Sequence, residues 1–162
     1  LPIFRLGISY NYKWLTIGVN DYYYPTAVGE KDNYFVFKNR ETGHYVEAVA
    51  TIMPQKLPVY LLLSSYIFGA DKRPSGNQAF SSYMEIGYIH QFKGDNSMTV
   101  LVGAEINKGF YTSYEKKISV CNVAAKYVTS VSFGKYKLPV SASLVFNPYK
   151  EKAYFTFSAY LR

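Results

Sequence analysis

The segment Tyr154-Phe155-Thr156-Phe157-Ser158-Ala159-Tyr160-Leu161 alternates large apolar residues with hydroxyl-bearing or small ones, and the same two-residue period recurs in nearly every segment before it. Successive side chains of a strand point to opposite faces, so this period writes sheets with one apolar and one polar side. No helical stretch is available to cover the apolar sides. The chain must therefore fold a sheet onto itself or give those sides to lipid.

Period and turn signals predict about nine strands. They cover residues 3–12, 14–24, 44–53, 58–70, 81–92, 98–107, 118–131, 138–147 and 153–162, with 34–37 either extending the third or forming a small loop strand. Most run to about 9–13 residues, against about 5–6 for strands of soluble sheets. The connections alternate in length. Tight links fall at Tyr12-Lys13, Pro54-Gln55-Lys56, Gly94-Asp95-Asn96 and Gly134-Lys135, and longer ones at 25–43, 71–80 and 108–117, while 148–152 is short where a long one is due. Short turns at one end and long loops at the other are the pattern of up-and-down outer-membrane barrels, which puts the Asp95 end in the periplasm.

On this register one side carries Leu15, Ile17, Val100, Val102, Leu144 and Phe157, and no charge interrupts it at the strand centres. The opposite side carries Arg5, Glu47, Glu85, Glu105, Asn122 and Lys126 among serines, threonines and asparagines. A soluble sandwich or lipocalin-like barrel would turn the apolar side inward, and period alone does not exclude it. Strand length, loop rhythm and aromatic crowding at strand ends favour lipid outside. The chain holds 18 Tyr, 11 Phe and one Trp in 162 residues, and amphipathic rings gather at membrane boundaries. A mean hydropathy of −0.10 and a longest apolar run of only 59–63 argue against helical spans, whereas membrane strands need only alternate apolar residues.

The fold expected is thus all-β, a single transmembrane antiparallel β-barrel domain over residues 1–162. Nine strands are odd and single-chain bacterial barrels are even, so an odd number of strands is expected upstream of Leu1, without which the sheet would leave unpaired backbone groups in hydrocarbon. The chain opens on Leu1-Pro2 rather than Met, as after removal of a leader or loss of upstream sequence.

Several segments carry a family resemblance: Asp21-Tyr22-Tyr23-Tyr24, Gly43-His44-Tyr45-Val46-Glu47, Phe68-Gly69-Ala70-Asp71, Ser81-Ser82-Tyr83-Met84-Glu85, Asn122-Val123-Ala124-Ala125-Lys126, and the closing Phe146-Asn147-Pro148 with Ala153-Tyr154-Phe155. In this order they resemble the TorF-like family of uncharacterised porins of Gram-negative outer membranes. The resemblance implies a longer protein with about three more amino-terminal strands, closing a barrel of about twelve. It implies no catalytic residues. The ending Leu161-Arg162 departs from the usual terminal aromatic, a role that falls to Tyr160.

The pore-lining candidates are Arg5, Glu47, Glu85, Glu105, Asn122 and Lys126. The preferred reading is an internal salt-bridge and hydrogen-bond network filling a narrow lumen, because buried charges need partners. The alternative is an acidic ring of Glu47, Glu85 and Glu105 that selects cations or holds a metal. For catalysis the candidates are Asp21, His44 and His90, but Asp21 and His44 share parity with the lipid side and would meet headgroups, and no enzymatic role is expected. No cofactor is expected, since phosphate-binding glycine loops and zinc spacings are absent, and the single Cys121 excludes an internal disulfide framework.

The formal charge of +7 does not line one face, as nucleic-acid binding would require. Basic loop residues Lys31, Lys38, Arg40, Lys72, Arg73, Lys116 and Lys117 are instead candidates for contact with lipopolysaccharide, beside the outer-membrane lipid itself. Two functional classes follow: a porin-like channel passing small solutes, or a non-conducting structural subunit docked on other outer-membrane proteins. An outer-membrane enzyme and a soluble sandwich stand behind them.

Overall fold

The computed structural model describes residues 4–25, 33–38 and 41–160. It contains nine strands: β1 (Phe4–Tyr12), β2 (Leu15–Tyr23), β3 (His44–Ile52), β4 (Val59–Gly69), β5 (Ser82–Gln91), β6 (Ser97–Glu105), β7 (Ser119–Phe133), β8 (Tyr136–Asn147) and β9 (Lys152–Ala159). All nine pair antiparallel with their sequence neighbours in one sheet of order β1-β2-β3-β4-β5-β6-β7-β8-β9. The only helical element among the described residues is one 3-10 turn, Phe110–Thr112. Each expected strand is present, with ends differing by a few residues. The 34–37 strand is not: Tyr34 lies in a turn and the residues after it run irregularly. Residue 3, residues 161–162, Lys31 and Arg40 lie outside the described residues.

Local chemistry sets the short turns. Lys13-Trp14 and Gly134-Lys135 are two-residue hairpin loops between the pairs Tyr12–Leu15 and Phe133–Tyr136. Lys13 (φ 52°) and Gly134 (φ 60°) take the left-handed conformation that matches hairpin turns to strand twist. At the same end Lys137 Nζ donates to Asp95 at 2.7 Å and the Thr129 hydroxyl to Asn96 at 2.6 Å, tying the β5-β6 turn to the β7-β8 hairpin. The Lys137 hydrogen bond holds the exposed Asp95 carboxyl below its ordinary range.

Register carries each face across the sheet. On the apolar face Ile86 stands opposite Val102, which stands opposite Val123, and that in turn opposite Phe146. On the polar face Glu85 stands opposite Gly103 and Gly103 opposite Asn122. One-residue irregularities at Val46/Glu47 and Gly103/Ala104 keep the faces in phase beyond them.

The distribution of burial is inverted relative to a water-soluble domain. Among the described residues the buried hydrophobics are only Tyr23, Ala79, Cys121 and Val140, while the largest fully buried side chains are His44, Glu105, Thr112 and Asp71. Ile17, Ile86, Val100, Leu144 and Phe157 are exposed. The sheet is open among the described residues, with β1 and β9 as its edges, so barrel closure is not part of the observed architecture.

Candidate functional site

The polar face is organised around two carboxylates. Glu85 accepts hydrogen bonds from the Tyr60 and Tyr83 hydroxyls, both at 2.6 Å, and from Asn122 Nδ2 at 3.2 Å; the same amide donates to the Tyr83 hydroxyl at 3.0 Å. Glycine makes this possible. A Cβ at Gly87 would overlap the Tyr60 ring and one at Gly103 the Tyr83 hydroxyl, so the missing Cβ atoms leave the room through which both hydroxyls reach Glu85.

Glu47 accepts from Asn20 Nδ2 at 3.0 Å and the Tyr22 hydroxyl at 3.2 Å. Arg5 Nη2 donates to the other end of the Asn20 amide at 3.1 Å, with its guanidinium 5.3 Å from the centre of the Tyr22 ring. Asn20 thus relays between a cation on β1 and an anion on β3. Lys126 stands opposite Thr99 and Ser143 on the same face.

Of the expected salt-bridge and hydrogen-bond network, the hydrogen bonds are present around these carboxylates and the salt bridges are not. Among the described residues Glu47, Glu85 and Glu105 are met by hydroxyl, amide and backbone donors, and no lysine or arginine lies within ion-pair distance of them. Register explains it: a strand bearing Asn20 separates Arg5 from Glu47, and tyrosines surround Glu85. Nor do Glu47, Glu85 and Glu105 form a ring able to share a metal, because among the described residues no three acidic, His or Cys side chains converge in that way.

Glu105 shares the polar parity but is sealed. Its carboxylate accepts from the backbone N–H of Tyr111 (3.1 Å), the N–H of Thr112 (2.8 Å) and the Thr112 hydroxyl (2.6 Å). Asp71, equally buried, accepts from the Ser81 N–H (2.8 Å) and hydroxyl (2.6 Å) and from the Tyr114 hydroxyl (3.3 Å). The Ser81 oxygen in turn accepts from the Phe110 N–H at 2.8 Å. Charged acceptors make strong bonds when desolvated. The two carboxylates so clasp the loop between β6 and β7 and set Tyr111 against the Tyr83 ring, centroids 5.7 Å apart. Tyr111, Tyr83, Tyr22, Glu47 and Arg5 then line a hollow of about 630 Å3 on the polar face.

Burial, with the charges on Cys121 and Glu47 added, pushes the Tyr111 phenol up to about 12. Its ordinary value is about 10. Above about pH 10 the unfolded chain loses this proton while the folded one keeps it, so the protein is expected to lose stability as pH rises from about 10 through about 12. Subtracting a Tyr111→Phe alkaline absorbance titration from the parent's should isolate one phenol ionising near the upper value.

Asp21 and His44 correct the expectation of headgroup contact. His44 is fully buried. Its Nδ1 lies 2.9 and 2.8 Å from the two Asp21 oxygens and its Nε2 2.6 Å from the Tyr34 carbonyl oxygen. Phe37 stacks on the ring at 4.2 Å, with Tyr23 and Tyr34 at 4.8 and 4.9 Å. The chain at 33–38 folds back over the strand ends and covers it. Both ring nitrogens are engaged, so neither is left to take a proton from a nucleophile. His90 is exposed and sets its ring 4.5 Å from Phe92.

Tyr60, Tyr83, Asp71, Ser81, Tyr111 and Thr112 belong to these networks and were not among the pore-lining candidates. Tyr83 was the most accessible of them, two residues from Glu85 and hence on the same face. The loop partners carry no such local signal. Comparison with protein-family models, with curated proteins and with solved structures finds no match for the chain.

Proposed function

We propose that this sheet is a large part of the wall of an outer-membrane β-barrel, with its apolar face toward lipid and its polar face toward a lumen, and that the barrel is a porin-like path for small solutes. The observation that carries the reading is the inversion of burial: side chains such as Ile86, Val100 and Phe157 are exposed, while the largest fully buried side chains among the described residues are polar. Water-soluble monomers rarely expose contiguous apolar patches beyond a few hundred Å2. Strands of 8–15 residues match the 9–11 needed for a tilted bilayer crossing. The resemblance to TorF-like porins agrees with this reading and supplies its bacterial setting.

Edge geometry adds a condition. β1 and β9 run in the same direction, since each step across the sheet reverses the strand and eight steps separate them. An antiparallel barrel built on this sheet needs an odd number of further strands between those edges, from outside Phe4–Ala159. Copies of the sheet inserted with one orientation cannot substitute, because their β1 and β9 edges are parallel too.

The polar face gives the path its character. Arg5, Glu47, Glu85 and Lys126 present both signs of charge, and the hollow beneath Tyr111 offers hydroxyls and amides. Reconstitution into planar bilayers is expected to give discrete conductance steps. A protein that inserts into vesicles but never conducts would remove the channel and leave a structural barrel. Refolding to a monodisperse state without detergent would remove the membrane as well.

A further inference from the structure

Above Glu47, at the long-loop end of the polar face, four aromatic rings meet. Tyr24 follows β2, Tyr45 and Tyr66 belong to β3 and β4, and Phe110 comes from the loop held by Glu105 and Ser81. The rings stand nearly perpendicular to one another: Tyr24–Tyr45 at 5.3 Å and 78°, Tyr45–Tyr66 at 5.4 Å and 63°, Tyr45–Phe110 at 6.0 Å and 72°, and Tyr66–Phe110 at 6.5 Å and 82°. They enclose about 180 Å3, with no other residue lining the space among those described.

We propose that this aromatic box is a binding site for a small methylated or quaternary ammonium group.

Size limits the occupant. Sites for drug-sized ligands occupy about 300–1,000 Å3, so this one takes a single head group. Charge gives the sign. Ring faces are electronegative and attract cations within about 6 Å of their centroids. Glu47 stands directly opposite Tyr66 in the β3-β4 register, and Asp71 is hydrogen-bonded through Tyr114 in the same loop cluster. The side-chain cations stacked on rings among the described residues use Tyr12, Tyr22 and Tyr149, none of which belongs to the box.

Hydration then chooses among cations. A metal ion or primary ammonium would have to give up strongly held water to a wall made mostly of ring carbons, whereas a quaternary ammonium carries no N–H and loses little. The loop clasp explains how the box stays assembled before ligand arrives: Phe110 is fixed through its own backbone N–H and through its neighbours' bonds to Glu105. This goes beyond the channel reading and does not depend on conduction.

Tetramethylammonium chloride and choline chloride titrated into the detergent-solubilised protein, followed by tyrosine fluorescence or by NMR shifts of the rings, are expected to saturate. The uncharged isostere 3,3-dimethylbutanol is expected to bind roughly tenfold or more weakly than choline. Tyr66→Leu should abolish saturation, and Tyr66→Phe should retain it. Tyr24→Leu lies beyond the end of β2 and provides a second loss-of-ring variant with the ladder untouched. Absence of saturation by either cation, equal binding of the neutral isostere, or unchanged choline binding in a folded Tyr24→Leu protein would each overturn the assignment. None of these measurements involves current, so a silent bilayer experiment and an empty box are separate results.

Discussion

Val100→Arg is expected to destabilise the membrane-inserted protein by about 2–4 kcal/mol, the range for a basic side chain on the lipid face near the bilayer midplane. Val100 occupies the middle of β6, is exposed, and stands between Tyr88 on β5 and Ala125 on β7. Its surroundings are almost purely apolar: Ile86, Val102, Val123 and Leu144 line the same groove of about 500 Å3. In lipid no water is within reach of the guanidinium except by snorkelling or thinning the bilayer. In water the same substitution on an exposed face would be nearly neutral, within about 0.5 kcal/mol. The contrast makes the variant decisive. Thr156→Arg is the control, an exposed position on the polar face opposite Ser143, where the change should stay within about 0.5 kcal/mol. Urea titration of both variants folded into vesicles gives the comparison. A tolerated Val100→Arg with a damaging Thr156→Arg would mean that the polar face meets lipid and the apolar face meets water, the reverse of the proposed orientation.

What the sequence made legible is what depends on period. Side chains two apart on a strand share a face whatever the rest of the chain does, so Arg5, Glu47, Glu85 and Lys126 could be grouped before any coordinates, as could the exposed row through Ile17, Val100 and Phe157. Strand pairing followed because short connections force neighbours to be antiparallel. What stayed hidden depends on long-range closure. Phe110 reaches Ser81 across 29 positions and Tyr114 reaches Asp71 across 43, and nothing local in a stretch of Gly, Phe, Tyr, Thr and Ser distinguishes an inward fold from a solvated loop.

His44 shows the same limit from the other side. Parity correctly placed it with Asp21 on the apolar face, but its complete burial comes from Tyr34 and Phe37 returning over the strand ends. The carboxylate partners failed for a different reason. Charge counting favours Lys or Arg beside Glu, whereas register put Asn20 between Arg5 and Glu47 and ringed Glu85 with phenols. In each case the residue's face was readable and its neighbour across the sheet was not, since partners are set by stagger that turn lengths fix only to within a residue or two. The consequence for function is specific. On the proposed channel reading, a wall whose carboxylates are met by neutral donors would present solutes with a different field from one in which each acid is paired with a base.

Glu105→Ala is the change expected to release the inner loop. It removes the acceptor for the Tyr111 N–H, the Thr112 N–H and the Thr112 hydroxyl at one stroke. A hydrogen bond to a charged group contributes about 1.5–3 kcal/mol and an orphaned buried donor costs about 1–3, so three such losses exceed what a single loop can bear in place. The loop has a way out, because opening lets those donors find water, and the cost is then capped at the free energy of opening. Loss therefore falls on the loop and spares the ladder: the flanking strands β6 and β7 keep their own backbone pairing from Ser97–Val128 to Glu105–Ser119. Hydrogen exchange should show the Thr112 amide accelerated by about a hundredfold, equivalent to about 3 kcal/mol, with amides at the centre of β6 nearly unchanged. Glu105→Gln keeps one acceptor oxygen but turns an amide N–H2 toward donors that already need acceptors, and should fall between the two. If Thr112 kept its protection in Glu105→Ala, the loop would be held by packing of Phe110 and Tyr111 against Tyr66 and Tyr83, and Glu105 would be a passenger in a structure the aromatic rings maintain.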